Sequence, residues 1–67
     1  MNAEITDLLS KTEIKIMRLL EKGLPNKSIS LQCDISENTV KFHLKNIYKK
    51  LKVHNRMEAV YKINQNN

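Results

Sequence analysis

Few residues in this chain can turn it sharply. Its 67 residues include one glycine, Gly23, and one proline, Pro25, which stand two apart. Tight β-hairpins and phosphate-cradling loops draw on glycine for positive φ. One glycine and one proline leave little room for β-turns or a phosphate-cradling loop, and no apolar–polar alternation argues for strands. Cys33 is the only cysteine, which rules out an internal disulfide framework and fits a reducing compartment. It follows Ile29 by four and precedes Ile35 by two, so it reads as a small core residue. Tryptophan is absent and aromatic residues make up 4% of the chain, too few for the stacking platform of a single-strand binder. No apolar run approaches the roughly 20 residues of a membrane span, and the N-terminal stretch lacks the charged-then-apolar order of a secretory leader. The expectation is one soluble domain in the cytoplasm, with a small core. His43, His54 and Cys33 do not have zinc spacing. No acid, base and nucleophile converge, so no metal, cofactor or catalytic activity is expected.

Negative charge is short in one half only. The formal net charge is +5. In residues 1–24, Lys11, Lys15, Arg18 and Lys22 balance Glu4, Asp7, Glu13 and Glu21. In residues 36–67, Lys41, Lys45, Lys49, Lys50, Lys52, Arg56 and Lys62 face only Glu37 and Glu58. The surplus concentrates between Ser36 and Leu51. Placed on a helix at about 100° per residue, that stretch sorts into two faces. Val40, Leu44, Ile47 and Leu51 fall within roughly 60° of one another. Lys41, Lys45, Lys49 and Lys52, with Asn38 and Phe42, lie about 100° or more away. One edge suits a protein core and the other suits an anion. A helix face of mixed charge is usually just solvated, but a face of one sign points to nucleic acid. Duplex DNA is favoured over RNA, because the A-form major groove does not admit a helix.

The flanking segments complete an all-α pattern. Residues 1–9 are a weakly apolar lead-in or the end of a linker, with Glu4 and Asp7 able to start a short helical turn. Ser10-Lys11-Thr12-Glu13 has the capping-box form, opening a helix to about Lys22 in which Ile16, Met17 and Leu20 share a face. Gly23 and Pro25 end it. Asn26 reads as the N-cap of a shorter helix over Lys27–Cys33, with Ile29 and Cys33 inward and Ser30 allowing close helix approach. A brief Asp34-Ile35 turn, without glycine, leads to Ser36 as cap of the basic helix. Two short helices, a brief turn and a longer basic helix have helix-turn-helix spacing. After a break at 52–54, Asn55 caps a fourth helix, with Glu58 completing a second box. Ala59, Val60 and Ile63 face inward, and Met57 and Tyr61 lie on an adjoining face. Residues 10–64 form the domain, and residues 65–67 a polar tail.

These residues resemble the LuxR-type (GerE/NarL-like) helix-turn-helix domain of bacterial transcription regulators. The resemblance runs from Leu9 to about Val60. It rests on L-S-x-x-E at 9–13, G-L-P-N-K at 23–27, I-S-E-N-T-V-K at 35–41, H-L-K-N-I-Y-K-K-L at 43–51 and N-R-M-E-A-V at 55–60. Each is weak alone, but their order and spacing are specific.

The resemblance implies four helices, with the third in the DNA major groove and the fourth supplying a dimer contact. It implies base contacts from Lys41, Phe42 and Lys45. Lysine can donate to guanine O6 and N7, and phenylalanine can meet a thymine methyl. It implies DNA-backbone contacts from Asn26, Lys27, Asn38, Thr39 and Lys49, and a dimer seam at His54, Met57 and Tyr61. The expected partners are double-stranded DNA, a second copy of the chain, and a receiver domain, ligand-binding domain or partner regulator that gates activity. The expected setting is the bacterial nucleoid.

Three residues depart from the family pattern. Thr12 replaces a usual arginine, and Phe42 is bulkier than is common there. Lys52 stands where glycine often ends the third helix, so a different turn is expected at that point. The competing reading is a protein-interaction module that docks onto another regulator through Met57 and Tyr61 without reading DNA.

Overall fold

A computed structural model describes residues 5–65. A one-turn helix, Ile5–Leu8, precedes four longer ones: α1 (Lys11–Glu21), α2 (Asn26–Cys33), α3 (Glu37–Leu51) and α4 (Arg56–Gln65). There is no strand among the described residues. Gln65, expected in the tail, is the last helical residue; Glu4, Asn66 and Asn67 lie outside the described residues.

The caps show why the chain breaks where it does. Ser10 Oγ accepts from the Glu13 amide at 3.2 Å, while Glu13 Oε1 accepts from the Ser10 amide at 2.8 Å. The expected capping box is therefore present. Asn55 Oδ1 accepts from the Glu58 amide at 2.9 Å, but the second box is not closed as expected. Glu58 Oε1 accepts from the amide of His54 at 2.7 Å, one residue before the cap. The N-cap assignment of Asn26 is corrected too. Pro25 is the N-cap (φ −72°, ψ 164°), no side chain caps α2, and Asn26 is its first helical residue. Proline already supplies the extended backbone of a cap, and Asn26 Oδ1 is engaged by Arg56 instead.

Three helices end in the same double-bonded turn. In each, a residue at positive φ bonds three residues back and the next amide bonds five back, the Schellman pattern. The residues at positive φ are Gly23 (83°), Asp34 (57°) and Lys52 (58°). The longer bonds run from Leu24 to Leu19 (3.3 Å), from Ile35 to Ser30 (3.0 Å) and from Val53 to Tyr48 (2.9 Å). The turn without glycine thus uses aspartate, which tolerates the left-handed region better than most residues. The expectation of a different turn at Lys52 is overturned. Lys52 adopts the glycine conformation at a cost of about 1 kcal/mol, held by this bonded turn between buried Leu51 and half-buried Val53. Because α3 stops at Leu51, Lys52 does not continue the lysine row in helical register.

α3 runs through the middle of the molecule, against α1, α2, α4 and the leading turn. Ile16 and Leu20 of α1, Ile29 of α2, and Val40, Ile47 and Leu51 of α3 are the most enclosed large side chains among the described residues. Ala59 and Ile63 bring α4 into the core, and Val60 and Cys33 pack half-buried against it. Among the described residues one buried residue is charged: Glu13 is 5% exposed, and Lys50 Nζ reaches its Oε1 at 2.8 Å. Burial pushes the Glu13 carboxyl up, but the Lys50 ammonium and the bonds to Ser10 outweigh it and hold its pKa below the usual value. No helix among the described residues is long and apolar enough to cross a membrane.

Candidate nucleic-acid interface

The direction of every side chain on α3 follows from its buried stripe. Val40, Leu44, Ile47 and Leu51 are in the core, which leaves Lys41, Lys45 and Lys49 in solvent on the opposite face. Beside them α2 begins and α4 begins. These elements enclose a shallow depression of about 450 Å³, lined by Asn26, Lys41, Leu44, Lys45, Tyr48, Lys49, Val53 and Arg56. The structure thus brings together four of the residues singled out from the sequence, Asn26, Lys41, Lys45 and Lys49. Tyr48 and the apolar Leu44 and Val53 also line it, so the cations stand at a partly apolar surface.

The remaining candidates lie outside that lining. Phe42 is 61% exposed, and its ring meets His43 edge-on, with centroids 5.9 Å apart. Lys27 is exposed in the first turn of α2 and Asn38 in the first turn of α3. Thr39 is half-buried; its hydroxyl is hydrogen-bonded to that of Ser36 at 2.8 Å, and its amide donates to Ser36 Oγ at 3.0 Å. On α4, Met57 is 82% and Tyr61 65% exposed. They stand one turn apart, with the exposed His54 preceding the helix and bonded through Nδ1 to Glu58 at 3.3 Å. Among the described residues, no cluster of three or more His, Cys, Asp or Glu has a geometry that would hold a metal ion.

Two cations behave differently from their sequence reading. Lys50 belongs to the basic surplus between Ser36 and Leu51, but it turns away from Lys41, Lys45 and Lys49 to Glu13. Arg56, one of the basic residues of the C-terminal half, donates through its guanidinium to Leu24 O at 2.9 Å and to Asn26 Oδ1. It ties the start of α4 to the start of α2. Burial pushes the Tyr48 pKa above its ordinary value, and the nearby charge of Arg56 opposes that rise only in part.

Residues 7–63 match the profile of the luxR family of bacterial regulatory proteins (GerE). The chain belongs to that family. It is a LuxR-type helix-turn-helix domain, of the DNA-binding, transcription-regulating kind. Among its relatives, the nitrate/nitrite response regulator protein NarL of Escherichia coli K12 is 44% identical over 57 residues, 85% of this chain and 26% of that protein. The CsgBAC operon transcriptional regulatory protein of the same strain is 43% identical over 65 residues, 97% of this chain and 30% of its own length. The response regulator protein VraR of Staphylococcus aureus Mu3 is 38% identical over 65 residues, covering 97% of this chain and 31% of VraR. The chain therefore spans between a quarter and a third of these relatives.

Proposed function

We propose that this domain reads duplex DNA with α3 in the major groove and regulates transcription by doing so. The observation that carries the reading is the convergence of Asn26, Lys41, Lys45 and Lys49 on one depression while the opposite side of α3 is locked in the core. In this reading Lys41, Phe42 and Lys45 face base edges. Asn26, Lys27, Asn38, Thr39 and Lys49 hold the phosphate backbone, the first two beside the free amides of a helix N-terminus. Met57 and Tyr61, with His54 at their edge, form the seam of a dimer on two half-sites about one helical turn apart. NarL and VraR are response regulators several times longer than this chain, which supports control by a receiver domain or partner regulator; the setting of the proposal is the cytoplasm, at the nucleoid.

The test is anisotropy of a labelled duplex pool at two salt concentrations, with selection of the bound fraction. Steep salt dependence and an inverted-repeat motif are expected. On that motif Lys41→Ala and Lys45→Ala should each lower specific affinity by about tenfold, and non-specific affinity by less. Equal losses on both DNAs would remove base reading from the proposal, and no binding at low salt would remove DNA. In that last event, the exposure of Met57 and Tyr61 favours a docking module that acts through α4.

A further inference from the structure

The geometry points to Arg56 as a positioning residue for DNA: it aims the Asn26 side chain at a backbone phosphate. The inference rests on the DNA-binding reading above and adds a role to a residue on a different helix.

An arginine side chain only donates hydrogen bonds. The Asn26 atom that meets its guanidinium must therefore be the carbonyl oxygen. That bond selects one of the two amide orientations and places the two N–H donors of Nδ2 on the side away from Arg56. Nδ2 makes no hydrogen bond among the described residues, and Asn26 lines the depression with Lys41, Lys45 and Lys49. The other arm of the guanidinium is held by Leu24 O at 2.9 Å, in the turn that leads to α2. The guanidinium is thus clamped at one end to main chain and at the other to Asn26. Without it, Asn26 can present either its oxygen or its nitrogen outward, and the oxygen would repel a phosphate. Arg56 also lines the depression, but it acts here through Asn26, one N–H of each terminal nitrogen being given to a protein acceptor.

The test is a double-mutant cycle on a labelled duplex that the wild-type protein binds, using Asn26→Ala, Arg56→Gln and the double variant. Affinity is read across a salt series, and thermal unfolding is followed in parallel. Each single variant is expected to weaken binding about fivefold to tenfold, and the double to be no weaker than either single within about twofold. The slope of affinity against salt should stay at the wild-type value in all three. A direct phosphate contact by Arg56 would instead reduce it by about 0.9. Asn26→Asp keeps an acceptor for Arg56 but removes the outward donor. It should melt at least as high as Asn26→Ala and bind DNA more weakly, and this pair carries the test if Arg56→Gln does not fold. Losses that multiply in the double variant, a lowered salt slope for Arg56→Gln, or wild-type affinity in Asn26→Ala would each overturn the assignment while leaving DNA binding standing. Failure of the wild-type domain to bind any duplex would overturn both.

Discussion

Replacing Lys50 by methionine removes a positive charge from α3 without removing it from the basic face. The partner of Lys50 is Glu13, whose side chain is 6% exposed, while that of Lys50 is 44% exposed. Breaking a wholly buried pair by removing one partner costs about 3–5 kcal/mol, and an exposed pair is worth about 0–1 kcal/mol. With one partner buried and the other nearly half in water, about 1–2 kcal/mol is expected. At about 4–8 °C per kcal/mol for a domain of this size, the melting temperature should fall by about 5–15 °C. The loss should depend on pH with a definite sign. The Glu13 pKa is lowered in the folded state from an ordinary value of 4.5. Its contribution is therefore complete above that value and is lost as pH falls through the folded pKa. The gap between wild type and Lys50→Met should be full at neutral pH and should close as pH falls below 4.5 and through the lowered folded-state pKa of Glu13. Circular-dichroism melts at pH 7 and pH 3 measure it. Lys45→Met is the counterpart: it should melt within about 4 °C of wild type, yet bind duplex DNA more weakly with a shallower salt slope. If Lys50→Met melted with wild type and lost DNA affinity as Lys45→Met does, the division of the lysines between core support and DNA would be wrong.

Lys52→Gly should raise stability by about 0.5–1 kcal/mol by relieving the left-handed backbone of a side-chain-bearing residue, and Gly23→Ala should lower it by about 1 kcal/mol. Because no atom lies within 4 Å of a Cβ built at Gly23, the second effect is conformational alone; urea midpoints at constant slope measure both. Tyr61→Ala should leave affinity for a single half-site unchanged and abolish cooperative binding to two, seen as a loss of the doubly occupied band in a mobility-shift titration.

The apolar face of α3 was legible because spacings of four, three and four place Val40, Leu44, Ile47 and Leu51 within a narrow arc, and all four are buried. The box at Ser10 was legible because both of its bonds are local. What escaped the sequence was mostly tertiary. Arg56 and Asn26 stand 30 residues apart, and Lys50 and Glu13 stand 37 apart, so no local pattern pairs them. For Lys50 there was nonetheless a usable signal. Helical geometry puts it about 140° from the centre of the Lys41–Lys45–Lys49 face, beside the apolar stripe, where an ammonium must find a partner or leave for water. Asn26 was misassigned because an asparagine at a helix start usually caps, and the proline before it had already taken that position.

The two ends of α3 argue that its placement matters more than the local cost of its turns. Asp34 precedes the helix and Lys52 follows it, and both hold positive φ without being glycine. Together these residues cost about 2 kcal/mol, against buried side chains along α3 that contribute roughly 1.5–3 kcal/mol each. Four such side chains on one stripe outweigh the strain and set the rotation of the helix about its axis. A rotation of one residue, about 100°, would carry Lys41 to the buried place of Val40 and Val40 to the half-buried place of Thr39, so the core permits one setting. The aim of Lys41, Lys45 and Lys49 is then a consequence of packing on the far side of the helix. Substitutions that loosen that packing, such as Leu44→Ala, should degrade sequence discrimination before they abolish DNA binding, because charge alone survives a helix that turns but a base-reading geometry does not.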